Sequence, residues 1–437
     1  MEWLAPVGLL ASLGLIIFLA MRGGSILVIG PVCSLLVILT NKMDIGAALL
    51  TAPNSYMAGV GTFIARYFII FLLGAILAKY MEDSGAARAI ADAVLKLTGT
   101  DKPFNILMAL FLVCALLTYG GVSLYVAIFA VVPLARPLFR EMNIPQHLMM
   151  APIALGLGTF TMTMLPGTPS IQNAVPATAL GTPLTAAPLL GLAGTAIAVL
   201  FGIWYMKNEL AKAVLRGESY AAGGADSAQA KKEGLPSVAV SAVPLLVLIA
   251  IILVGSIMKI PNIILPALLA SILVAAAVFH NYIAKHVATL NGGATSAVGP
   301  AIMTAAAVGY GIVITAAPGF KVIAKLIMDI PGSPLISLSV ATSLMAAVTG
   351  SSTGSLGIIL EAFGKAYIAK GVNPEVFHRI AAMASGPLSA MPHSGAVLAL
   401  LALTGLTHKD AYKHIFMTVV VGSSLSLVAA LLLAILL

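Results

Sequence analysis

The chain has 437 residues, of which 60% are hydrophobic and only 9% charged, and its mean hydropathy is +1.07. A soluble globular domain carries about 25% charged residues, so the composition excludes a soluble protein and describes a polytopic helical membrane protein. The net charge of +8 is read as loop Lys and Arg that orient spans in a bilayer, with no nucleic-acid partner implied.

Taken in chain order, the apolar run 4–20 lacks a basic leader and is followed by Arg22, so it reads as a retained first span. Spans at 25–40 and 63–80 come next, with Arg66 read as snorkelling or as a subunit contact. The stretch 85–97, "GAARAIADAVLKL", has the pattern of an interfacial helix. Cys33 and Cys114 lie in apolar segments and imply no disulfide.

Residues 104–138 hold two apolar arms of about 14 residues around the tip "TYGGVS". Such an arm reaches only about 21 Å as a helix, short of the roughly 30 Å hydrocarbon core. The spacing therefore predicts a re-entrant hairpin; the alternative is a glycine-kinked full span. Segment 146–180 follows, an apolar helix interrupted by "TMLPGTPSIQN", where Pro166 and Pro169 remove donors and crowd the preceding turn. A span at 184–205 leads into 206–236, a polar linker with five basic residues that reads as cytoplasmic. Beyond it come spans at 238–257, 261–282 and 295–316, then a second hairpin at 334–369 with the tip "TGSSTGS". A second broken helix at 374–404 carries "SAMPHSGAVLA" around Pro392, and a span at 411–437 closes the chain.

The order recurs. Gly120, Asn143, Pro145 and Pro166 parallel Gly350, Asn373, Pro374 and Pro392. The expected organisation is therefore two repeats, 1–205 and 237–437, joined by the linker 206–236. Each has about five spans, one re-entrant hairpin and one broken helix. An odd number of spans inverts the second repeat relative to the first and puts both termini on the periplasmic side. Paired hairpins and broken helices in inverted repeats are the build of secondary transporters that bind substrate near the midplane.

Each break is followed by a new helical segment, and helix starts present unpaired N–H groups and a partial positive charge. Four such starts meeting among Gly, Ser and Thr make an anion site without a lysine. The substrate-binding candidates are Tyr119, Gly120, Gly121 and Ser123 at the first tip, and Gly167, Thr168, Ser170, Gln172 and Asn173 at the first break. Gly350, Ser351, Ser352, Thr353 and Gly354 follow at the second tip, with His393, Ser394 and Gly395 at the second break. Gln172, Asn173 and Tyr119 are the groups that could meet a substrate hydroxyl. His393 lies inside a neutral run and is the leading proton carrier; the bland alternative is a neutral packing histidine. Glu361, in a hairpin arm, is the second proton-coupling candidate, or pairs with Lys365 four residues on. No metal spacing or nucleotide loop is present, and a hydrolase built on a tip serine would lack an orienting group for its base. No cofactor is expected beyond a coupling ion, H+ or alternatively Na+.

"MPHSGAVLALLALTGLTHKDAY" (391–412), "GSSTGS" upstream and "YGGVSLYVAIFAVVPLARPLFREMNIP" (119–145) resemble the gluconate:proton symporter (GntP) family of the ion transporter superfamily. The resemblance runs over most of the chain. It implies a bacterial inner-membrane permease that imports a small carboxylate with protons, and a homodimer. The first hairpin arm has no acid after its glycines, and the first break reads Pro166-Gly167-Thr168-Pro169-Ser170 in place of the proline- and histidine-containing stretch of gluconate permeases. The sequence looks closer to 3-hydroxybutyrate permeases, which implies a short monocarboxylate or hydroxyacid such as 3-hydroxybutyrate or lactate. The alternative function is sodium-coupled symport of a di- or tricarboxylate.

Overall fold

The computed structural model describes residues 3–86, 89–90, 93, 102–119, 124–168, 170–220, 234–258, 264–328, 330 and 333–436. Those residues form helices and no strand, and the protein is an all-α polytopic membrane protein, as its composition requires. In the first half, α1 (Leu4–Met21), α2 (Ile26–Thr40) and α3 (Tyr56–Asp83) precede α4 (Pro103–Tyr119) and α5 (Leu124–Glu141). The chain then runs through α6 (Met150–Gly158), a turn of helix at Phe160–Thr163, α7 (Ile171–Leu180) and α8 (Pro188–Leu215).

The second half follows the linker. It contains α9 (Val238–Ile257), α10 (Ile264–Val278), α11 (His286–Ala316), α12 (Pro318–Met328), α13 (Pro334–Thr349) and α14 (Ser352–Ala369). Then come α15 (Pro374–Ala384), α16 (Gly395–Thr404), α17 (His408–Ile415) and α18 (Gly422–Leu436). Helices α17 and α18 are joined through a π-helical turn at Phe416–Val421 and form one apolar span of 29 residues.

Span boundaries differ from the sequence reading at three places. Helix α3 begins at Tyr56 and α11 at His286, and α8 continues to Leu215, ten residues past the expected limit of 205. The extension of α8 is held by Glu209, which bridges Lys212 at 2.9 Å and Lys413 of α17 at 2.7 Å. Polar residues therefore prolong a helix once a neighbouring helix supplies their partners. Helix α3 also bends by 47° between Ala65 and Tyr67, at the position of Arg66.

The most extensive helix packing in the described structure is between α3 and α11. Close approach is set by glycine: a Cβ added to Gly59 would lie 2.9 Å from the Gly309 Cα, and one added to Gly293 would lie 2.6 Å from the Ile76 Cα. Small residues at a helix interface give the van der Waals contact that substitutes for a hydrophobic driving force inside lipid. Around this pair the two halves pack crosswise, α5 against α16, α7 against α14 and α8 against α18. The arms α4 and α13, of 17 and 16 residues, are about 25 Å long and stop where the cavity described next begins.

Candidate functional site

A cavity of about 500 Å³ lies where the breaks meet. Three helix starts line it: α7 with Ser170, Ile171 and Gln172; α14 with Ser351 to Gly354; and α16 with Gly395 to Val397. The first turn of α5 adds Leu124 and Ile128. Residues 120–123 of the first tip lie outside the described residues, and so do Gly120, Gly121 and Ser123 among the expected ligands.

Each of these three helices begins in the same way. A serine in extended conformation precedes it and caps it: Ser170 accepts from the Asn173 N–H at 3.3 Å, Ser351 from the Gly354 N–H at 3.1 Å, and Ser394 from the Val397 N–H at 3.3 Å. The cap satisfies the third N–H of each helix and leaves the first two without an acceptor inside the helix. Those are the N–H groups of Ile171 and Gln172, of Ser352 and Thr353, and of Gly395 and Ala396, and all six residues line the cavity. Among the described residues, no Asp, Glu, Lys, Arg or His lines the cavity. Several helix N-termini at a chamber with such a lining favour an anion.

Glycine is required at the second tip. Gly350 has φ +57°, and a Cβ there would lie 3.0 Å from the Ser394 Cα and 3.5 Å from His393 Cδ2. The tip is thereby pressed against the second break. Across the cavity, Gln172 Nε2 donates to Ser352 Oγ at 2.9 Å and ties the start of α7 to the start of α14.

Of the residues expected from the sequence, the structure brings Ser170, Gln172, Gly350, Ser351, Ser352, Thr353, Gly354 and Gly395 together around the cavity. It places the other described ones elsewhere. Tyr119 ends α4 and is 46% exposed. Gly167 donates its N–H to the Leu184 carbonyl, and Thr168 is buried with no partner for its hydroxyl. Asn173 is fully engaged: its Nδ2 donates to the Thr168 and Leu184 carbonyls, both at 2.8 Å, and its Oδ1 accepts from His378 Nε2 at 2.8 Å. Ser394 serves as a cap behind the lining.

His393 is buried directly behind the tip, and both ring nitrogens lack a hydrogen-bond partner among the described residues. The carbonyls of Ala347 and Val348 lie beside the ring without meeting hydrogen-bond geometry. Tyr310 packs edge-on at 5.9 Å between ring centres. The loop that carries His393 is fixed from below, by the Tyr412 hydroxyl donating to the Ala390 carbonyl at 2.9 Å and His408 Nε2 to the Pro392 carbonyl at 2.6 Å. Glu361 sits on α14, and its side chain lies outside the described residues.

Sequence reasoning missed Arg379. It is fully buried on α15, and it donates from Nε to the Ala186 carbonyl at 3.0 Å and from Nη2 to the Leu184 carbonyl at 3.2 Å. The available signal was its position as the last charge before the neutral run 380–408. The wall supplied by Thr62, Phe63 and Tyr67 of α3 and by Ile415 and Val419 was also unmarked in the sequence. It comes from the bend at Arg66 and from the π-helical turn, neither of which has a Gly or Pro at its centre.

Two comparisons with known proteins bear on this arrangement. The family model described as GntP family permease matches residues 6–436. The uncharacterized transporter YxjC of Bacillus subtilis (strain 168) is 37% identical over 451 residues, spanning 93% of this chain and 94% of the relative.

Proposed function

Because the chain belongs to the GntP family of permeases, we propose that this transporter imports a short-chain carboxylate or hydroxyacid, such as 3-hydroxybutyrate, lactate or a gluconate-like acid, by proton symport. That it is a multi-pass membrane transporter and not an enzyme follows from the family. The observation that carries the substrate class is the cavity lined by the first turns of α7, α14 and α16, with no charged side chain among its described lining residues. A carboxylate is the anion that six backbone N–H groups and free hydroxyls can hold without a fixed countercharge.

Proton coupling is assigned to His393. Its nitrogens have no partner, and it stands one residue before the cap of α16 and against Gly350 of the tip. Adding a proton there places a positive charge beside the bound anion and adds a donor facing the tip. Proton and carboxylate then favour each other's binding, which is the thermodynamic requirement for symport. Glu361 is the second coupling residue proposed, on the same helix as the tip hydroxyls. The shared element order of the halves and their crosswise packing support two inverted repeats that alternate access to the cavity. The proposed setting is the bacterial inner membrane, with periplasmic termini, a cytoplasmic linker and a homodimer.

The test is uptake of labelled 3-hydroxybutyrate into proteoliposomes with proton and sodium gradients imposed separately. Uptake driven by an inward proton gradient without sodium is expected. Uptake that needs sodium at fixed pH would transfer the coupling ion to the Ser and Thr groups of the tip. Absence of uptake for every short carboxylate, under either gradient, would overturn the substrate class.

A further inference from the structure

We propose that Gln172 is the residue that selects for a hydroxyl group on the transported anion, an inference that rests on reading the cavity as a carboxylate site. Sequence alone left three groups able to meet such a hydroxyl, and the structure separates them. Tyr119 is away from the cavity, and Asn173 has both amide ends committed to the first break and to His378. Gln172 lines the cavity, with Nε2 bonded to Ser352 and no partner for Oε1 among the described residues.

The chemistry of the lining makes that oxygen distinctive. Apart from Gln172, the polar side chains around the cavity carry hydroxyls. Several of these donate to carbonyls within the protein, as Thr118 does to Gly156 and Ser389 to Gly386. The backbone groups at the three helix starts are N–H donors. Among the described lining residues, the Gln172 Oε1 is therefore the one amide or hydroxyl group that accepts without being able to donate. A bare alkanoate has nothing to give it, and burying the acceptor unpaired under such a ligand is unfavourable. A hydroxyacid supplies the missing proton.

Position strengthens the assignment. Ser352, having accepted from Gln172, keeps its own hydroxyl proton to donate, and it begins the helix whose first N–H groups meet the cavity. The bonded pair thus sets an acceptor beside carboxylate donors, the spacing that a molecule carrying a carboxylate and a nearby hydroxyl would bridge. An ammonium group could also donate to Oε1. It would meet several helix N-termini and no carboxylate among the described lining residues, so the cavity disfavours a cation. The selectivity expected is hydroxyacid over alkanoate, and both over amino acid.

The experiment is calorimetric binding to the full chain in lipid nanodiscs, using butyrate, 3-hydroxybutyrate and 3-aminobutyrate against wild type, Gln172→Leu and Gln172→Glu. Wild type is expected to bind 3-hydroxybutyrate about tenfold more tightly than butyrate, the worth of one well-formed hydrogen bond. Gln172→Leu brings that ratio to within about twofold, because the hydroxyl loses its acceptor and the alkanoate no longer buries one unpaired. Gln172→Glu, which retains the reach and adds a negative charge, moves the preference toward 3-aminobutyrate, a change that a mere brace between α7 and α14 would not produce. A wild-type ratio near one, or equal loss of all three ligands in Gln172→Leu with no gain of the amine in Gln172→Glu, overturns the assignment while leaving the carboxylate site standing. Failure of wild type to bind any of the acids overturns the carboxylate reading and this inference with it. Thermal melting of each variant identifies one that has not folded, and Gln172→Asn, which withdraws the carbonyl by one carbon, then replaces Gln172→Leu with the same expected loss of ratio.

Discussion

At the first break the polar side chains hold the backbone together, whereas at the second a buried histidine holds nothing among the described residues. Asn173 ties the loop between α6 and α7 to the Thr168 and Leu184 carbonyls and to His378, and His378 Nδ1 in turn lies 2.7 Å from the Thr182 hydroxyl. Arg379 clamps the carbonyls of Leu184 and Ala186. The exceptions there are the Thr168 hydroxyl and one Arg379 nitrogen. At the second break His393 keeps both nitrogens unpaired although the loop around it is fastened through Ala390 and Pro392. An unpaired buried polar group costs about 1–3 kcal/mol, so folding alone favours the first arrangement. The lesson is a division of labour, with one break acting as an anchored frame and the other keeping a group in reserve for the transport cycle.

The largest expected effect comes from breaking the frame. Asn173→Ala strands the Thr168 carbonyl and removes the acceptor for His378 Nε2, two buried groups. A loss of about 4 kcal/mol follows at about 2 kcal/mol for each, read as a large fall in the detergent melting midpoint. A melting curve matching wild type would mean that the network is ornamental and that the contrast between the breaks is false.

Next in size is Gly350→Ala. The left-handed backbone at φ +57° costs a residue with a Cβ about 1–2 kcal/mol, and the new carbon would meet the Ser394 Cα at 3.0 Å. The tip must then withdraw from the second break, so uptake is expected to fall more steeply than stability. Equal, small losses in both would show that the tip need not touch the break.

Smaller again are the caps. Ser351→Ala removes one bond to the Gly354 N–H, at a cost of about 1 kcal/mol. Ser170→Ala is expected to cost more, because Ser170 also donates to the Met162 carbonyl at 2.6 Å. Measured side by side, the two substitutions sharpen the comparison: the same capping device is cross-braced at the first break and not at the second tip.

Much of this architecture was legible in the sequence because it is written in residue types that have local consequences. Glycine and proline mark the second tip and both breaks, since Gly350 needs its positive φ and Pro166 and Pro392 deny the helix a donor. The serines that cap α7, α14 and α16 were also recognisable, although as ligands rather than caps. What escaped was set by partners distant in sequence. Nothing local shows that Arg379 will find the carbonyls of Leu184 and Ala186 some 190 residues earlier, or that Asn173 has both amide ends engaged while Gln172, its neighbour, engages only its Nε2 among the described residues. Periodicity likewise gave no sign that the Arg66 bend and the π-helical turn would bring α3 and the last span into the cavity wall.

The smallest expected effect on stability belongs to His393→Leu, and it is the most informative one. The side chain is 1% exposed, with ring nitrogens that make no bond. Leucine is of similar bulk, so the substitution removes two unpaired polar atoms and loses only the edge-on contact with Tyr310. The melting midpoint should therefore be unchanged or raised, in contrast to Asn173→Ala. If His393 carries the coupled proton, uptake driven by a proton gradient should fall at least about tenfold, while carboxylate binding at high pH, where the wild-type imidazole is itself neutral, stays near wild type. Proton-driven uptake that survives in a stable His393→Leu variant would place the proton elsewhere, with Glu361 the next residue to replace. A destabilised variant would mean that the ring has a packing role, and the second break would then be a frame like the first. Only the combination of retained stability and lost coupling fits a buried group kept unpaired for use, because every structural role would lower stability before it lowered transport.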